Sequence, residues 1–489
     1  MESNMEYHAI EDGVRPVRDI PREACGLYGV FGVPNASQLI HGGLFSLQHR
    51  GQEGAGIVVS DGQQIRSHKG LGLVNDVFNQ RHLTELQGHI GIGHVRYSTT
   101  GSVRVQNIQP LVAETVDGLW AIAHNGNLVN ADKLRRMYQE AGAIFQTGTD
   151  SEVLIHLLAD PMFRNRPRRV ARALGELKGA FAFLIMTRNA IMAARDPNGF
   201  KPLSIGKLGK GYVVASETCA LVQTGAEYFR DVEPGELVVI DDNGLRSHEF
   251  AEHDNQRMAQ CIFEHVYFAR PDSIVFGDNV HEIRVKLGMG LAVEHPAVAD
   301  IVIPVPDSGN SAALGYSRQS GIPFESGFIR NHYVGRTFIM PDNQSRARSV
   351  DMKLAVVQNV VRGKRIVVVD DSVIRGTTSQ RRVKALREAG AKEIHLRISC
   401  PPTRHPCFFG IDFATEEELV AHGKTIEEIA TITGADTVGY LSIKGLLAPF
   451  ASARKFCTAC FSGDYPVDIS GVQSKNGLEN FSSTLGLDR

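Results

Sequence analysis

The run Val367-Val-Val-Asp-Asp-Ser-Val-Ile-Arg-Gly-Thr-Thr-Ser379 ends an apolar stretch on two adjacent carboxylates, Asp370 and Asp371, and follows them with small residues. Adjacent carboxylates suit vicinal hydroxyls or Mg²⁺. Arg375, Gly376, Thr377, Thr378 and Ser379 then supply a cation, a glycine that admits close backbone approach, and three hydroxyls. They lead into a helix whose N-terminus favours an anion. A diol binder beside a phosphate cradle is the chemistry of a ribose 5-phosphate site. Val305-Pro-Asp-Ser-Gly309 is a second turn after an apolar run, where backbone N–H groups could receive pyrophosphate; taken alone it is only a turn. Residues 330–339 (RNHYVGRTFI) mix cations, aromatics and glycine, the composition of a loop that closes over an anionic substrate.

A different chemistry gathers around Cys25. It begins Cys25-Gly-Leu-Tyr-Gly29 and is followed by Leu47-Gln-His-Arg-Gly-Gln-Glu-Gly-Ala-Gly56 and Gly93-His-Val-Arg-Tyr-Ser98. His124-Asn-Gly-Asn127 and Gly148-Thr-Asp-Ser-Glu152 complete the set. A cysteine thiolate is a strong nucleophile, and free cysteine has a pKa near 8.5. Removal of residues 1–24 would free the α-amine of Cys25, a general base with pKa near 8 that needs no histidine partner. Those 24 residues carry six acids against three bases and lack the apolar core of a secretion signal. They read as a propeptide that locks the nucleophile. Locally, Asn125-Gly126 reads as a type I′ hairpin turn after a strand at residues 119–123.

The 367–379 run resembles the phosphoribosyl pyrophosphate (PRPP) fingerprint of type I phosphoribosyltransferases. That resemblance implies PRPP held by Asp307, Arg336 and residues 375–379, one Mg²⁺ per subunit at Ser308, Asp370 and Asp371, and a catalytic flap at 330–339. The five segments around Cys25 resemble the N-terminal-nucleophile glutaminase domain of class II glutamine amidotransferases, over roughly residues 25–240. Carried over residue by residue, Arg96 pairs with the glutamine α-carboxylate through its bidentate fork. Asp150 pairs with the α-ammonium, and Asn125 (side chain) with Gly126 (backbone N–H) forms the oxyanion hole. Arg50 and Thr99 line the pocket.

Seven cysteines occur, an odd number in a chain without a secretion signal, which argues against a disulfide framework. The Cys457-Thr-Ala-Cys460 pair, with Cys261 and Cys407 as distant partners, suits tetrahedral zinc or an iron–sulfur cluster, and spacing does not choose. Residues 25–463 as a whole resemble the family of glutamine-dependent enzymes that load ammonia onto PRPP, in its propeptide-bearing iron–sulfur branch. That resemblance implies a structural [4Fe-4S] cluster, one per subunit, on these four cysteines, while Cys219 and Cys400 read as buried apolar residues. The reaction it implies turns glutamine, PRPP and water into 5-phosphoribosylamine, pyrophosphate and glutamate at the entry to purine synthesis. It further implies a homotetramer inhibited by purine nucleotides, while the lack of a secretion signal makes the cytoplasm the default compartment. The competing class is a PRPP-sensing regulator with a phosphoribosyltransferase fold. Such a protein needs a basic DNA-binding module, whereas Lys plus Arg (52) nearly balance Asp plus Glu (54) and the glutaminase constellation is intact. No apolar run reaches the roughly 18 residues that span a bilayer, so neither nucleic acid nor membrane is an expected partner.

The elements that must position these residues divide in two. Over residues 25–250, short strands (55–59, 119–123, 181–186 and 212–215) cluster with a few helices, one of them between residues 130 and 142. The expected fold is an α+β glutaminase, an αββα sandwich. Over residues 251–463, apolar runs at 300–305, 365–369 and 393–398 alternate with helical patterns, predicting an α/β domain on a parallel sheet. The boundary is expected near residues 245–258. Residues 464–489 read as a tail. The cluster Arg164, Arg166, Arg168, Arg169 and Arg172 reads as a solvated helix face.

Overall fold

A computed structural model of the chain describes residues 25–97, 104–164, 168–251, 258–331, 354–411, 415–451 and 455–470. Thr99, Arg336, Arg166 and most of the expected flap lie outside the described residues, as do the propeptide and residues 471–489.

The first half is built from β1 (Gly26–Phe31), β2 (Gly54–Ser60), β3 (Ile65–Leu71), β4 (Ile90–Arg96), β5 (Leu111–Thr115), β6 (Gly118–Leu128) and β7 (Gly179–Met186). It continues with β8 (Ile191–Arg195), β9 (Ser204–Leu208), β10 (Gly211–Ala215), β11 (Glu227–Asp231), β12 (Glu236–Asp241) and β13 (Gly244–Glu249). These form a seven-stranded sheet, β11-β9-β10-β1-β4-β2-β3, and a six-stranded sheet, β13-β12-β8-β7-β6-β5. Alternation along each strand assigns the layers. Tyr28 and Val30 of β1 pack outward with Ile40, Leu44 and Leu221, whereas Leu27 and Phe31 pack inward with Ala121, Ala123, Ala182 and Leu184 of the second sheet. Trp120, Ile122 and Leu128 of β6 face the opposite way, onto Leu134, Leu154, Leu157 and Leu174. Two sheets face to face with helices outside both make the αββα sandwich. The polar segment expected to mark the boundary begins as strand: β13 pairs with β12 along its whole length. Arg169, from the basic cluster, pairs with Asp117 at 2.6 Å and lies over the Trp120 ring.

The second half carries a four-stranded sheet in the order Ile301–Pro304, Arg365–Asp370, Glu393–Ile398, Thr437–Tyr440, every pair parallel. Its central strands are apolar on both faces because helices cover both sides. Helix Val280–Glu294 crosses helix Asn310–Ser320 so closely that a Cβ on Gly288 would stand 1.8 Å from the Ala312 carbonyl oxygen. Gly315 meets the Val285 oxygen in the same way, at 1.9 Å. Among the described residues no helix is long and apolar enough to cross a membrane.

Candidate active sites

Cys25 is the residue before β1, and by strand parity with Leu27 its side chain belongs to the layer between the sheets. It is buried, and its thiol donates to the Tyr97 carbonyl oxygen at 3.7 Å. Burial pushes the thiol up to about 11, against the lowering effects of that hydrogen bond and of the Arg96 charge. The charge of Asp150 pushes it further in the same direction, so the glutamine-pocket candidates Arg96 and Asp150 both act on this sulfur.

Asn125-Gly126 is not a hairpin turn. β6 runs straight through it and stays paired to β7 as far as Leu128 and Gly179. What changes at this point is the other edge, because β5 covers β6 only up to Ile122. Beyond it, the N–H of His124 donates to Gln109 Oε1 (2.6 Å) and the N–H of Leu128 to Asp150 Oδ2 (2.9 Å). Backbone groups alternate along a strand, so the Gly126 N–H points out of the same open edge, midway between those two. Gly126 has φ +145°, and a Cβ there would lie 2.0 Å from the Ala180 oxygen, so no other residue fits. The Asn125 side chain shares the inward face with Ala121 and Ala123. It is fully buried, and neither Nδ2 nor Oδ1 has a hydrogen-bond partner among the described residues. A buried amide left unpaired costs about 1–3 kcal/mol, and its donor and acceptor are available to a ligand.

Asp150 is buried and held by the Leu128 N–H, by Ser151 Oγ (3.2 Å) and by His124 (3.6 Å). Burial alone would raise its carboxyl, but the His124 charge and these bonds bring it below the usual range. Arg96 is buried and donates to the Asn107 carbonyl oxygen, and Asn107 Oδ1 in turn accepts from the Gly148 N–H at 2.9 Å. Arg50 sits behind the nucleophile. Its Nε reaches the Cys25 carbonyl oxygen (3.4 Å), while its Nη atoms bind Glu217 (2.6 Å) and Glu264 (2.7 and 2.9 Å). Both carboxylates are fully buried, and Glu264 comes from the second half of the chain. Nothing in the sequence pointed to this clamp.

At the second site, Asp370 ends its strand and Asp371 follows it, both buried at the carboxyl edge of the parallel sheet, where ligands bind in such folds. Ser308 Oγ donates to Asp371 Oδ1 at 2.5 Å, and the Val305 N–H donates to the Val369 oxygen at 2.8 Å, so the two predicted loops meet. Asp370 pairs with Arg382 at 2.6 Å. Burial pushes the Asp370 carboxyl well above the usual carboxylate range against the pull of Arg382, and the neighbouring Asp371 adds to the rise. Gly376, with φ +82°, turns the chain into helix Thr377–Glu388, so Thr377, Thr378 and Ser379 form its first turn. Arg375 is held by Glu418 (Nε to Oε2, 3.0 Å), and Asp307 by Arg330.

Cys261, Cys407, Cys457 and Cys460 line one small cavity together with Phe200, Phe409 and Tyr465. Cys261 and Cys457 are partners in a short parallel bridge, and the Phe409 N–H donates to Cys407 Sγ at 3.4 Å. Burial raises the Cys457 thiol to about 12 and the Cys460 thiol well above its ordinary value. Among the described residues no three His, Cys, Asp or Glu side chains are set to hold a single metal ion. What the structure brings together is the four cysteines around that one cavity.

A two-sheet amidotransferase sandwich joined to a parallel-sheet transferase defines a glutamine-dependent transferase. The family model described as "Glutamine amidotransferase domain" matches residues 94–223. Over 91 % of its length the chain is 50 % identical to the amidophosphoribosyltransferase of Bacillus subtilis, covering 95 % of that protein. It is 48 % identical to the enzyme of Methanocaldococcus jannaschii, over 91 % of this chain and 98 % of that one. The solved B. subtilis glutamine PRPP amidotransferase, complexed with ADP and GMP, superposes with a TM-score of 0.85 at 49 % identity, covering 91 % of this chain and 98 % of that one. The chain belongs to the amidophosphoribosyltransferases, the glutamine-dependent pentosyltransferases of purine biosynthesis.

Proposed function

We propose the following division of roles. Cys25, once residues 1–24 are removed, attacks the side-chain carbonyl carbon of glutamine, and its own α-amine takes the thiol proton. Negative charge develops on the carbonyl oxygen and is received by Asn125 Nδ2 and the Gly126 N–H. The amine returns the proton to the leaving nitrogen, ammonia departs, and water hydrolyses the thioester to glutamate. Arg96 and Asp150 fix the α-carboxylate and α-ammonium. Arg50 holds the backbone of the nucleophile from behind. The observation that carries this reading is the buried, unpartnered amide of Asn125 on the same inter-sheet layer as Cys25.

In the other half, ammonia attacks C1 of PRPP and displaces pyrophosphate. Thr377, Thr378, Ser379 and the helix start behind them cradle the 5-phosphate, and Arg375, Arg336 and Asp307 serve the rest of PRPP. Ser308, Asp370 and Asp371 offer hard oxygen donors, the kind Mg²⁺ accepts when substrate oxygens complete its shell. When bound, Mg²⁺ neutralises charge developing on the leaving pyrophosphate. The four cysteines fit an iron–sulfur cluster, since thiolates around an apolar cavity suit a multi-atom group better than one zinc ion. The cluster, a [4Fe-4S] by this reading, has a structural role. A cytoplasmic homotetramer subject to purine nucleotides completes the proposal; the solved relative carries ADP and GMP.

The test is a single substitution. Cys25→Ala should abolish glutamine-dependent 5-phosphoribosylamine synthesis and leave the ammonia-dependent rate intact. Mass spectrometry of active enzyme should show Cys25 as its first residue. Loss of both activities together, or full activity from a chain retaining Met1, would overturn the assignment.

A further inference from the structure

Past the oxyanion residues, the next side chain of β6 crosses to the other half of the molecule. Asn127 Nδ2 donates to the Phe408 carbonyl oxygen at 2.9 Å. Two residues on, Gly410 (φ +107°) lies flat against the same strand: a Cβ there would stand 3.3 Å from both Cα and the carbonyl carbon of Gly126. The segment making these contacts is itself firmly held. Phe409 stacks on the fully buried Phe200 with ring centroids 4.4 Å apart, and Phe408 meets the Tyr465 ring edge-on at 5.3 Å. Tyr465 then anchors to the Pro406 oxygen at 2.7 Å. On its other side Gly126 is closed by Ala180 of β7. The oxyanion strand thus has a wall from each half of the chain, and Asn127 is its tie to the second.

We propose that Asn127 is a positioning residue for glutamine hydrolysis. By holding the Phe408 carbonyl it fixes the rotation of β6 at Gly126, so that the Gly126 N–H and the Asn125 amide are aimed at the developing oxyanion. Gly410 permits this by leaving room for the Gly126 backbone. The inference rests on the assignment of Asn125 and Gly126 as oxyanion donors. Misaligned donors act on the transition state and not on the bound substrate, whose α-groups are held elsewhere by Arg96 and Asp150.

In the processed full-length enzyme, Asn127→Ala and Gly410→Ala should each lower kcat for glutamine hydrolysis by roughly ten- to a hundred-fold, the range that small misplacements cost. KM for glutamine should stay within about twofold, and the ammonia-dependent rate should not change. Asn125→Ala serves as the reference. If it leaves glutamine turnover intact, the oxyanion assignment itself fails. If it abolishes turnover while Asn127→Ala and Gly410→Ala leave kcat unchanged, this proposal alone fails. A rise in KM without loss of kcat, or a parallel fall in the ammonia-dependent rate, also overturns it.

Discussion

Removing the Arg50 guanidinium would leave Glu217 and Glu264 buried without their shared cation. Breaking such a cluster from one side costs about 3–5 kcal/mol, so Arg50→Ala is expected to destabilise the folded chain by that order. The pH dependence follows from Glu217. Burial alone would raise its carboxyl, yet His49 and Arg50 hold it well below the usual carboxylate range. A folded pKa below the unfolded one gives stability that is fully present above the unfolded value, about 4.3, and lost as the pH falls. Unfolding midpoints measured from pH 7 down to pH 3 should drop steeply for the wild type and less steeply for Arg50→Ala. Equal slopes would remove Glu217 from the account. None of this clamp was legible in the sequence, because Arg50 lies 167 residues from Glu217 and 214 from Glu264, and no local pattern links them. Cys25, Asp370 and Asp371 stood out in the sequence, since each sits in a run whose residue types suggest a chemistry, and the structure buries all three, Cys25 before β1 and the two aspartates at the end of their strand.

At the scale of elements, the strands Arg365–Asp370 and Glu393–Ile398 match the predicted runs because a parallel strand buried on both faces leaves an unbroken apolar signature. The misreading of Asn125-Gly126 has an equally physical cause. That dipeptide signals a hairpin when a strand must reverse, but here β6 outlasts its neighbour β5 and uses glycine for close approach to Ala180. The crossing of helices Val280–Glu294 and Asn310–Ser320 was invisible, since two glycines as far apart in the chain as Gly288 and Gly315 announce nothing until they meet. It carries a prediction of its own. Gly288→Ala forces a methyl group into the Ala312 carbonyl and should cost at least the roughly 1–3 kcal/mol of an overpacked contact. Gly290→Ala, on the same helix, meets only a Leu441 side chain at 3.5 Å and should be tolerated. Thermal midpoints of the two variants check the contrast, and equal midpoints would refute it.

At the scale of the whole molecule, the two halves share a seam and are not beads on a linker. Arg50 grips Glu264, Phe200 stacks on Phe409, the Cys261 N–H bonds to the Phe200 oxygen at 3.1 Å, and the Ala259 N–H to the Asn198 oxygen at 2.7 Å. A seam with buried charge and stacked aromatics couples the unfolding of both sides. Calorimetry of the intact chain should therefore show one cooperative transition, and two well-separated transitions would contradict the coupling.

The open edge of β6 has one more consequence, which concerns length. Its outward N–H groups recur every second residue, about 7 Å apart at ~3.4 Å per residue. Gln109 fills the position at His124 and Asp150 the position at Leu128, and the Gly126 N–H lies between them on the same edge. In the proposed roles Asp150 takes the α-ammonium and Gly126 the distal carbonyl, so the pleat of the strand becomes a ruler with two marks. Glutamine reaches both, whereas asparagine, one methylene shorter, can register on one mark only by missing the other. In those roles, the choice between two amides of the same chemistry lies in the repeat distance of a β-strand.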